Sequence, residues 1–134
     1  MPVDEKPERL LVVDDDETVR TIVVRLAESL GCKAKGESRG AGFLQAYDEF
    51  KPTIIVMDGY LGDIDLEDLV DQIASRQFAG KLIFISGAED YLALAELHTQ
   101  RVGLVSRGLL KPFGTQELEE ILLSAPMNQA GPPA

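Results

Sequence analysis

The chain contains 134 residues, of which 45% are hydrophobic, and one folded domain with a single core is expected for that length and composition. Its 23 acidic and 13 basic residues give a net charge of -10, which opposes binding to nucleic acid or to anionic membranes, so neither is an expected partner. No apolar run approaches the roughly 18 to 20 residues that span a bilayer, the first residues lack a secretory signal, and the lone Cys32 cannot form an internal disulfide, so a cytoplasmic location is expected.

Strand-like and helix-like segments alternate along the chain, which is typical of βα repeats around a parallel sheet. The first apolar run covers residues 10–13 and precedes a helical pattern over residues 17–30. The short, charged segment of residues 33–37 is predicted as an edge strand. Residues 41–50 form the second predicted helix, because the residue before Pro52 is disfavoured in helical conformation.

The same alternation continues through the second half of the chain. Residues 54–57 and 82–85 are apolar throughout, as expected for strands that are covered on both faces. Asp65 is placed to cap a third helix, and a fourth helix is predicted over residues 89–100. A weaker strand follows, and Thr115 is the predicted capping residue of the last helix.

The predicted organisation is one domain with short flanking segments. Residues 1–8 are expected to form an N-terminal extension and residues 9–124 the domain. Beyond Pro126 the composition turns to Asn, Gln, Gly and Pro without periodicity, so residues 125–134 are expected to form a disordered tail.

Polar side chains follow the apolar runs at the points where those runs end. Asp14 and Asp15 follow the first run, Asp58 follows the run of residues 54–57, Ser86 follows the next, and Lys111 stands near the end of the last. Because ligands in parallel α/β sheets bind at the carboxyl ends of the strands, we expect these side chains to converge at one edge. Neighbouring carboxylates repel each other unless a cation neutralises them, and Mg²⁺ prefers oxygen ligands of this kind.

Four short motifs occur in this order over most of the chain: Val13-Asp14-Asp15, Met57-Asp58, Ile85-Ser86-Gly87 and Lys111-Pro112-Phe113. Together they resemble the receiver domain of bacterial response regulators. The resemblance implies a flavodoxin-like (βα)5 fold, a doubly wound α/β sandwich whose five parallel strands have the order 2-1-3-4-5. It also implies a location in the bacterial cytoplasm.

The resemblance implies a metal site and a phosphorylation site that share one residue. Asp14 and Asp15 match the acidic pair that holds Mg²⁺, and Tyr60 matches the residue whose backbone carbonyl completes the metal ligands. Asp58, a further metal ligand, matches the aspartate that accepts the phosphoryl group.

Two other residues match positions that contact the phosphoryl group in the family. Ser86 matches the hydroxyl residue that responds to phosphorylation, and Lys111 matches the lysine that pairs with the phosphoryl group. The expected donor is a histidine kinase or a phosphotransfer protein, which we expect to meet the first helix. The expected output is contact with a downstream protein through the fourth helix, the last strand and the last helix, and monomer and homodimer both stay open.

Alternative interpretations apply to the whole chain and to single residues. A constitutive interaction module that is not phosphorylated is one alternative, because Gly108 stands where the family commonly carries an aromatic residue. A Mg²⁺-dependent phosphatase is weaker, because Tyr60 stands where a second acid is expected. The acids at residues 14–16 could simply cap a helix. His98 is expected on a solvated surface.

Overall fold

Five parallel strands and five helices alternate strictly along the chain. The structure is a computed structural model that describes residues 7–125, 127 and 128. The strands are β1 Arg9–Val13, β2 Lys33–Glu37, β3 Ile54–Asp58, β4 Lys81–Ser86 and β5 Arg107–Leu110. The helices are α1 Glu17–Ser29, α2 Gly40–Phe50, α3 Leu66–Ser75, α4 Glu89–Arg101 and α5 Thr115–Leu122. The sheet has the order β2-β1-β3-β4-β5, which confirms the predicted flavodoxin-like fold.

Helices cover both faces of the sheet, and alternate residues of each central strand enter opposite cores. On one face, Val12 and Val56 pack in a cluster with Val23 of α1 and Leu118 of α5. The cluster on the other face combines strand residues with residues of α2, α3 and α4: Leu11, Val13, Phe43, Ala46, Ile55, Met57, Leu69, Val70, Ile73, Leu82, Phe84 and Ala95. Burial on both faces explains why β1, β3 and β4 carry no polar alternation.

The strand register brings the polar strand ends to one edge of the sheet. Val13 pairs with Met57, and Asp58 pairs with Ile85. Ser86 in turn pairs with Leu110. The residues that follow these pairs therefore emerge side by side, as the apolar runs predicted.

The helix ends differ from the predictions at one residue in particular. Thr115 is the first residue of α5 and not its cap, so that prediction is wrong. Gly114 occupies the capping position, and its backbone N–H donates to the Glu117 carboxylate at 3.1 Å.

Among the helices of the described residues, none has both the length and the apolar character needed to cross a membrane.

The two acids before α3, Asp63 and Asp65, differ in their contacts. Asp65 occupies the N-terminal capping position of α3, but its side chain makes no capping hydrogen bond. Asp63 instead accepts hydrogen bonds from the backbone N–H groups of Gly40 and Ala41, at 2.9 and 3.1 Å. These bonds cap α2, whose own capping residue Arg39 makes no side-chain bond. They also lower the pKa of Asp63 below its usual value.

Part of the segment expected to be a disordered tail is held against the domain. Asn128 is buried, and its side-chain amide donates to the carbonyl oxygens of Gly80 and Val105 at 3.0 and 2.8 Å. Its side-chain oxygen accepts from the Val105 N–H at 2.8 Å. The expectation is therefore wrong for Asn128, which joins the segments that precede β4 and β5. Residues 126 and 129–134 lie outside the described residues.

The long-range cap on α2 can be tested by truncation. Asp63→Ala is expected to lower the free energy of unfolding by about 1 kcal/mol, because two N–H groups at the start of α2 lose their acceptor. Asp65→Ala is the matched control, since it removes an exposed acid of the same loop that caps nothing. Urea denaturation measures both. Equal losses in the two variants would show that Asp63 does not cap α2.

Candidate functional site

Asp14 is fully buried at the carboxyl end of β1, and each of its side-chain oxygens has a partner. One oxygen accepts the backbone N–H of Asp16 at 2.8 Å, and the other accepts from Nζ of Lys111 at 2.8 Å. The guanidinium of Arg20 donates to its backbone carbonyl at 2.7 Å. These contacts fix the orientation of the carboxylate before any ligand arrives.

Lys111 follows β5 and places its ammonium between two carboxylates. Its Nζ lies 2.8 Å from Oδ2 of Asp14 and 3.7 Å from Oδ2 of Asp58. Its backbone N–H donates to the carbonyl of Ser86 at 2.8 Å, and the Lys111–Pro112 peptide is cis. Burial alone would lower the pKa of Lys111, but the bond to Asp14 and the charges of Asp58 and Asp14 outweigh burial and raise it. The ammonium therefore stays protonated.

Asp58 ends β3 with a side chain that is only 11% exposed. The backbone N–H of Tyr60 donates to its Oδ1 at 3.3 Å. Burial and the negative charge of Asp14 raise the pKa of Asp58 to about 6, against the opposing effect of Lys111. The carboxylate is thus ionised at neutral pH, but nearby positive charge compensates its negative charge only in part.

The three carboxylates of Asp14, Asp15 and Asp58 form one cluster, as the sequence predicted. Each contributes an oxygen, and these oxygens lie within 4.8 Å of one another. The single ammonium of Lys111 leaves the cluster with excess negative charge. A hard divalent cation fits this donor set, because Mg²⁺ takes oxygen ligands and needs few carboxylates while it keeps several waters. Asp15 is exposed, so the cluster opens to solvent.

The remaining predicted residues lie at the same edge but have different contacts. The Ser86 hydroxyl accepts the backbone N–H of Ala88 at 3.1 Å, so it bonds within its own loop. Tyr60 is 71% exposed. The role of the Tyr60 carbonyl stays a prediction.

The capping interpretation of residues 14–16 holds for one of the three acids. Asp16 occupies the capping position of α1, and its side chain accepts from the N–H groups of Thr18 and Val19 at 2.8 and 3.4 Å. Asp14 and Asp15 belong to the carboxylate cluster. The run therefore serves a helix end and a candidate cation site together.

Two residues of α4 have contacts that the sequence analysis missed or misplaced. The ring of Tyr91, in α4, packs against Gly59, the residue directly after Asp58. His98 was expected on a solvated surface, but its side chain is only 17% exposed and its Nε2 lies 3.2 Å from Oδ1 of Asp71. The contact between Tyr91 and Gly59 could have been suspected from the sequence, because Tyr91 lies in the first turn of the helix that follows Ser86.

Two apolar surfaces are exposed on the described part of the molecule. Beside Lys111, a patch is formed by Val19, Ile22, Pro112 and Phe113. Ile22 of α1 is 41% exposed. The second surface comprises exposed large apolar side chains of α4, of β5 and at the end of α5: Leu94 and Leu97, which line a groove beside α3, and Leu110 and Leu123.

Comparison with known proteins identifies the family. Residues 10–123 match the response regulator receiver domain, so the chain belongs to this family. Receiver domains are signalling domains and not classical enzymes. No curated protein sequence matches the chain.

Solved structures of receiver domains share the fold. The signal receiver domain of an HD domain-containing protein from Pseudomonas fluorescens Pf-5 has 20% identity and a TM-score of 0.78, with 91% of this chain and 88% of that chain covered. The chemotaxis response regulator CheY4 of Vibrio cholerae has 18% identity and a TM-score of 0.75, with 87% and 97% covered. The BeF3-activated DrrB receiver domain has 22% identity and a TM-score of 0.74, with 87% and 95% covered.

Because the pKa of Asp58 is raised, removing its charge is expected to change the stability of the fold in a pH-dependent way. In the folded protein the carboxyl group has a pKa of about 6 in place of 3.8, so it binds its proton more tightly than in the unfolded chain. Stability that is present below about pH 4 is therefore lost as the pH rises to about 6. Asp58→Asn should stabilise the metal-free protein at about pH 7.5 by ~1 kcal/mol, a value reduced for solvent screening, and by nothing near pH 4.

Urea denaturation with a chelator present measures this difference at the two pH values. Glu28→Gln, which removes an exposed charge on α1, controls for the general effect of net charge. A stabilisation by Asp58→Asn that is the same at both pH values would contradict the assigned pKa.

Proposed function

We propose that the chain is a phosphorylation-dependent switch of a two-component phosphorelay, in which Asp58 accepts a phosphoryl group from a histidine kinase or a phosphotransfer protein. The observation that carries the proposal is the position of Asp58, which is ionised, barely exposed and 3.7 Å from the Lys111 ammonium. Membership of the receiver family supports the same residue in the same role. The signal then passes to a downstream protein by direct contact.

The chemistry assigns a separate task to each side chain. One Asp58 oxygen attacks the phosphorus of a phosphohistidine, the phosphorus–nitrogen bond breaks, and its electron pair stays on the imidazole, which leaves an acyl phosphate on Asp58. The Lys111 ammonium lies close enough to Asp58 to stabilise charge on the phosphoryl oxygens. Asp14 holds Lys111 in place. The Ser86 hydroxyl is free to donate, because within its loop it accepts.

A bound Mg²⁺ would supply Lewis-acid stabilisation of the phosphoryl oxygens in this reaction. The residues that we propose to hold it are Asp14, Asp15 and Asp58, with the backbone carbonyl of Tyr60. The cluster of oxygens within 4.8 Å supports the three carboxylates.

The two apolar surfaces suit two protein partners. We assign the phosphodonor to the patch that contains Ile22 and Phe113, because Lys111 belongs both to this patch and to the carboxylate cluster. We assign the downstream target, or a second copy of the chain, to the face of α4, β5 and α5, where Leu110 and Leu123 are 40% and 66% exposed.

A constitutive interaction module is the second candidate. It is favoured by Gly108, which gives β5 no aromatic side chain to respond to a phosphoryl group. A phosphatase would release phosphate through many turnovers and hold no stable adduct. The experiment below distinguishes both alternative functions from a phosphorylation-dependent switch.

Phosphorylation of Asp58 can be measured directly. With Mg²⁺ and acetyl phosphate, the wild-type protein is expected to gain the mass of one phosphoryl group, and Asp58→Asn is expected to gain none. Lys111→Met should slow the reaction by about 10²-fold, because a preorganised cation is lost. Asp65→Asn, an exposed acid outside the cluster, should behave like the wild type. Intact-mass spectrometry reads all four proteins.

Each other outcome assigns the chain differently. No adduct on the wild type indicates a constitutive module, and sustained release of phosphate without an adduct indicates a phosphatase. An adduct that persists in Asp58→Asn would show that another residue is the acceptor.

Binding of Mg²⁺ should stabilise the fold by mass action. At a concentration 100 times its dissociation constant, Mg²⁺ is expected to raise the free energy of unfolding of the wild type by about 2.7 kcal/mol. Asp15→Asn should weaken this effect, since it removes a ligand whose exposed side chain contributes little to packing. Asp65→Asn should leave it unchanged. Isothermal calorimetry measures binding, and equal affinities of Asp15→Asn and the wild type would exclude Asp15 as a ligand.

A further inference from the structure

Tyr91 packs its ring against the backbone beside Asp58. A Cβ atom added to Gly59 would lie 2.5 Å from Cδ1 and 2.7 Å from Cε1 of Tyr91, so the ring fills the space that a side chain would otherwise take. Gly59 is itself fixed, because its N–H donates to the carbonyl of Ile85 at 2.9 Å. The ring of Tyr91 therefore forms a side wall of the Asp58 site.

The same side chain also lines a groove between α3 and α4. This groove is bounded by Leu66 of α3 and by Tyr91, Leu94, Leu97 and His98 of α4. His98 lies seven residues after Tyr91, so the two side chains stand two turns apart on one face of the helix. The ring of Tyr91 thus separates the phosphorylation site from the α3–α4 groove and touches both.

The start of α4 is joined to the site by Ser86. The Ser86 hydroxyl accepts from the N–H of Ala88, the residue that immediately precedes α4. Ala88 offers no side chain that could cap the helix, and α4 makes no capping hydrogen bond at this end. A movement of the Ser86 loop is therefore transmitted to the first turn of α4, where Tyr91 lies.

We infer that Tyr91 is a positioning residue that couples the phosphoryl state of Asp58 to the shape of the α3–α4 groove. The inference rests on the proposed function. A phosphoryl group adds about -1.5 to -2 charge and three acceptor oxygens beside Gly59. The Ser86 hydroxyl donates to one of these oxygens and draws the Ala88 N–H with it, so the first turn of α4 shifts and the Tyr91 ring leaves Gly59. The part of the α3–α4 groove that Tyr91 and His98 line changes its shape as a result.

Other observations single out Tyr91 for this role. The Tyr60 ring is mostly in solvent, and Gly108 has no side chain. Leu92, the neighbour of Tyr91, packs at the position of Gly108, where an added Cβ would lie 3.4 Å from the Leu92 Cβ. Burial and the negative charges of Asp58 and Asp65 raise the pKa of Tyr91, so its hydroxyl is neutral at physiological pH and can remain beside the carboxylates.

His98 provides the readout, because it is the only histidine of the chain and lies in the same groove. Its ring resonances are recorded by NMR at fixed pH, before and after Mg²⁺ and acetyl phosphate, with intact mass confirming the adduct. The wild type is expected to show a shift of the His98 signals on phosphorylation. In Tyr91→Ala the shift should be lost although the adduct still forms.

Two further variants separate coupling from simple disruption of α4. Tyr91→Phe keeps the ring and should retain the His98 shift. Leu92→Ala truncates the adjacent side chain, which faces Gly108 instead of Gly59, and should also retain it. A merely structural contribution of Tyr91 would not distinguish these variants.

Gly59→Ala tests the contact without any phosphoryl donor. The added Cβ would lie 2.5 Å from the Tyr91 ring and so displaces it. The His98 signals of unphosphorylated Gly59→Ala should move toward their phosphorylated positions, and Gly59→Ala combined with Tyr91→Ala should show no such movement. Gly59→Ala alone keeps the test decisive if Tyr91→Ala fails to fold, because it retains Tyr91: His98 signals that do not move in this variant would reject the inference.

The outcomes distinguish this inference from the proposed function. Absence of an adduct on the wild type rejects both. An adduct that leaves the His98 signals unmoved rejects the inference alone. A His98 shift of equal size in the wild type and Tyr91→Ala shows that the signal bypasses Tyr91, and it also rejects the inference alone.

Discussion

The ammonium of Lys111 makes the interaction on which the site depends, because it lies between two carboxylates whose negative charges repel each other. Asp14 comes from the end of β1, Asp58 from β3 and Lys111 from the end of β5, so the ion pairs join three strands at one edge of the sheet. An ionised group as deeply buried as Asp14 is tolerated only with a partner and further hydrogen bonds, and it has both. The fold and the site therefore share the same contacts.

In this arrangement the carboxylate of Asp58 has weaker stabilising contacts than the carboxylate of Asp14. Lys111 is 0.9 Å closer to Asp14 than to Asp58, as the distances of 2.8 and 3.7 Å show, and Asp58 keeps the raised pKa. The protein tolerates this unfavourable ionisation at a residue where a cation or a phosphoryl group could relieve it. Strain of this kind is more typical of functional positions than of positions that only stabilise a fold.

The sequence predicted features that arise from local patterns, and it missed features that depend on distant partners. Apolar runs of four residues marked the buried strands, and the parallel arrangement then placed Asp14, Asp58, Ser86 and Lys111 at one edge. No local pattern shows that Asp63 caps a helix that begins 23 residues earlier, because the bond exists only after α2 and the loop after β3 have packed. Asn128 was likewise hidden, since its partners lie before β4 and β5 while its own neighbours resemble a tail.

The packing of α4 shows why this helix suits the transmission of a signal. Its buried residues are Ala95, at the middle of the helix, and Thr99, near its C-terminal end, whereas α3 buries Leu69, Val70 and Ile73. The Thr99 hydroxyl bonds to that of Ser106 at 2.9 Å, which ties the C-terminal end of α4 to the segment before β5. The N-terminal end is uncapped and rests on two glycines through Tyr91 and Leu92. Few buried contacts therefore oppose a tilt about the Thr99 end, which is what the inferred coupling through Tyr91 requires.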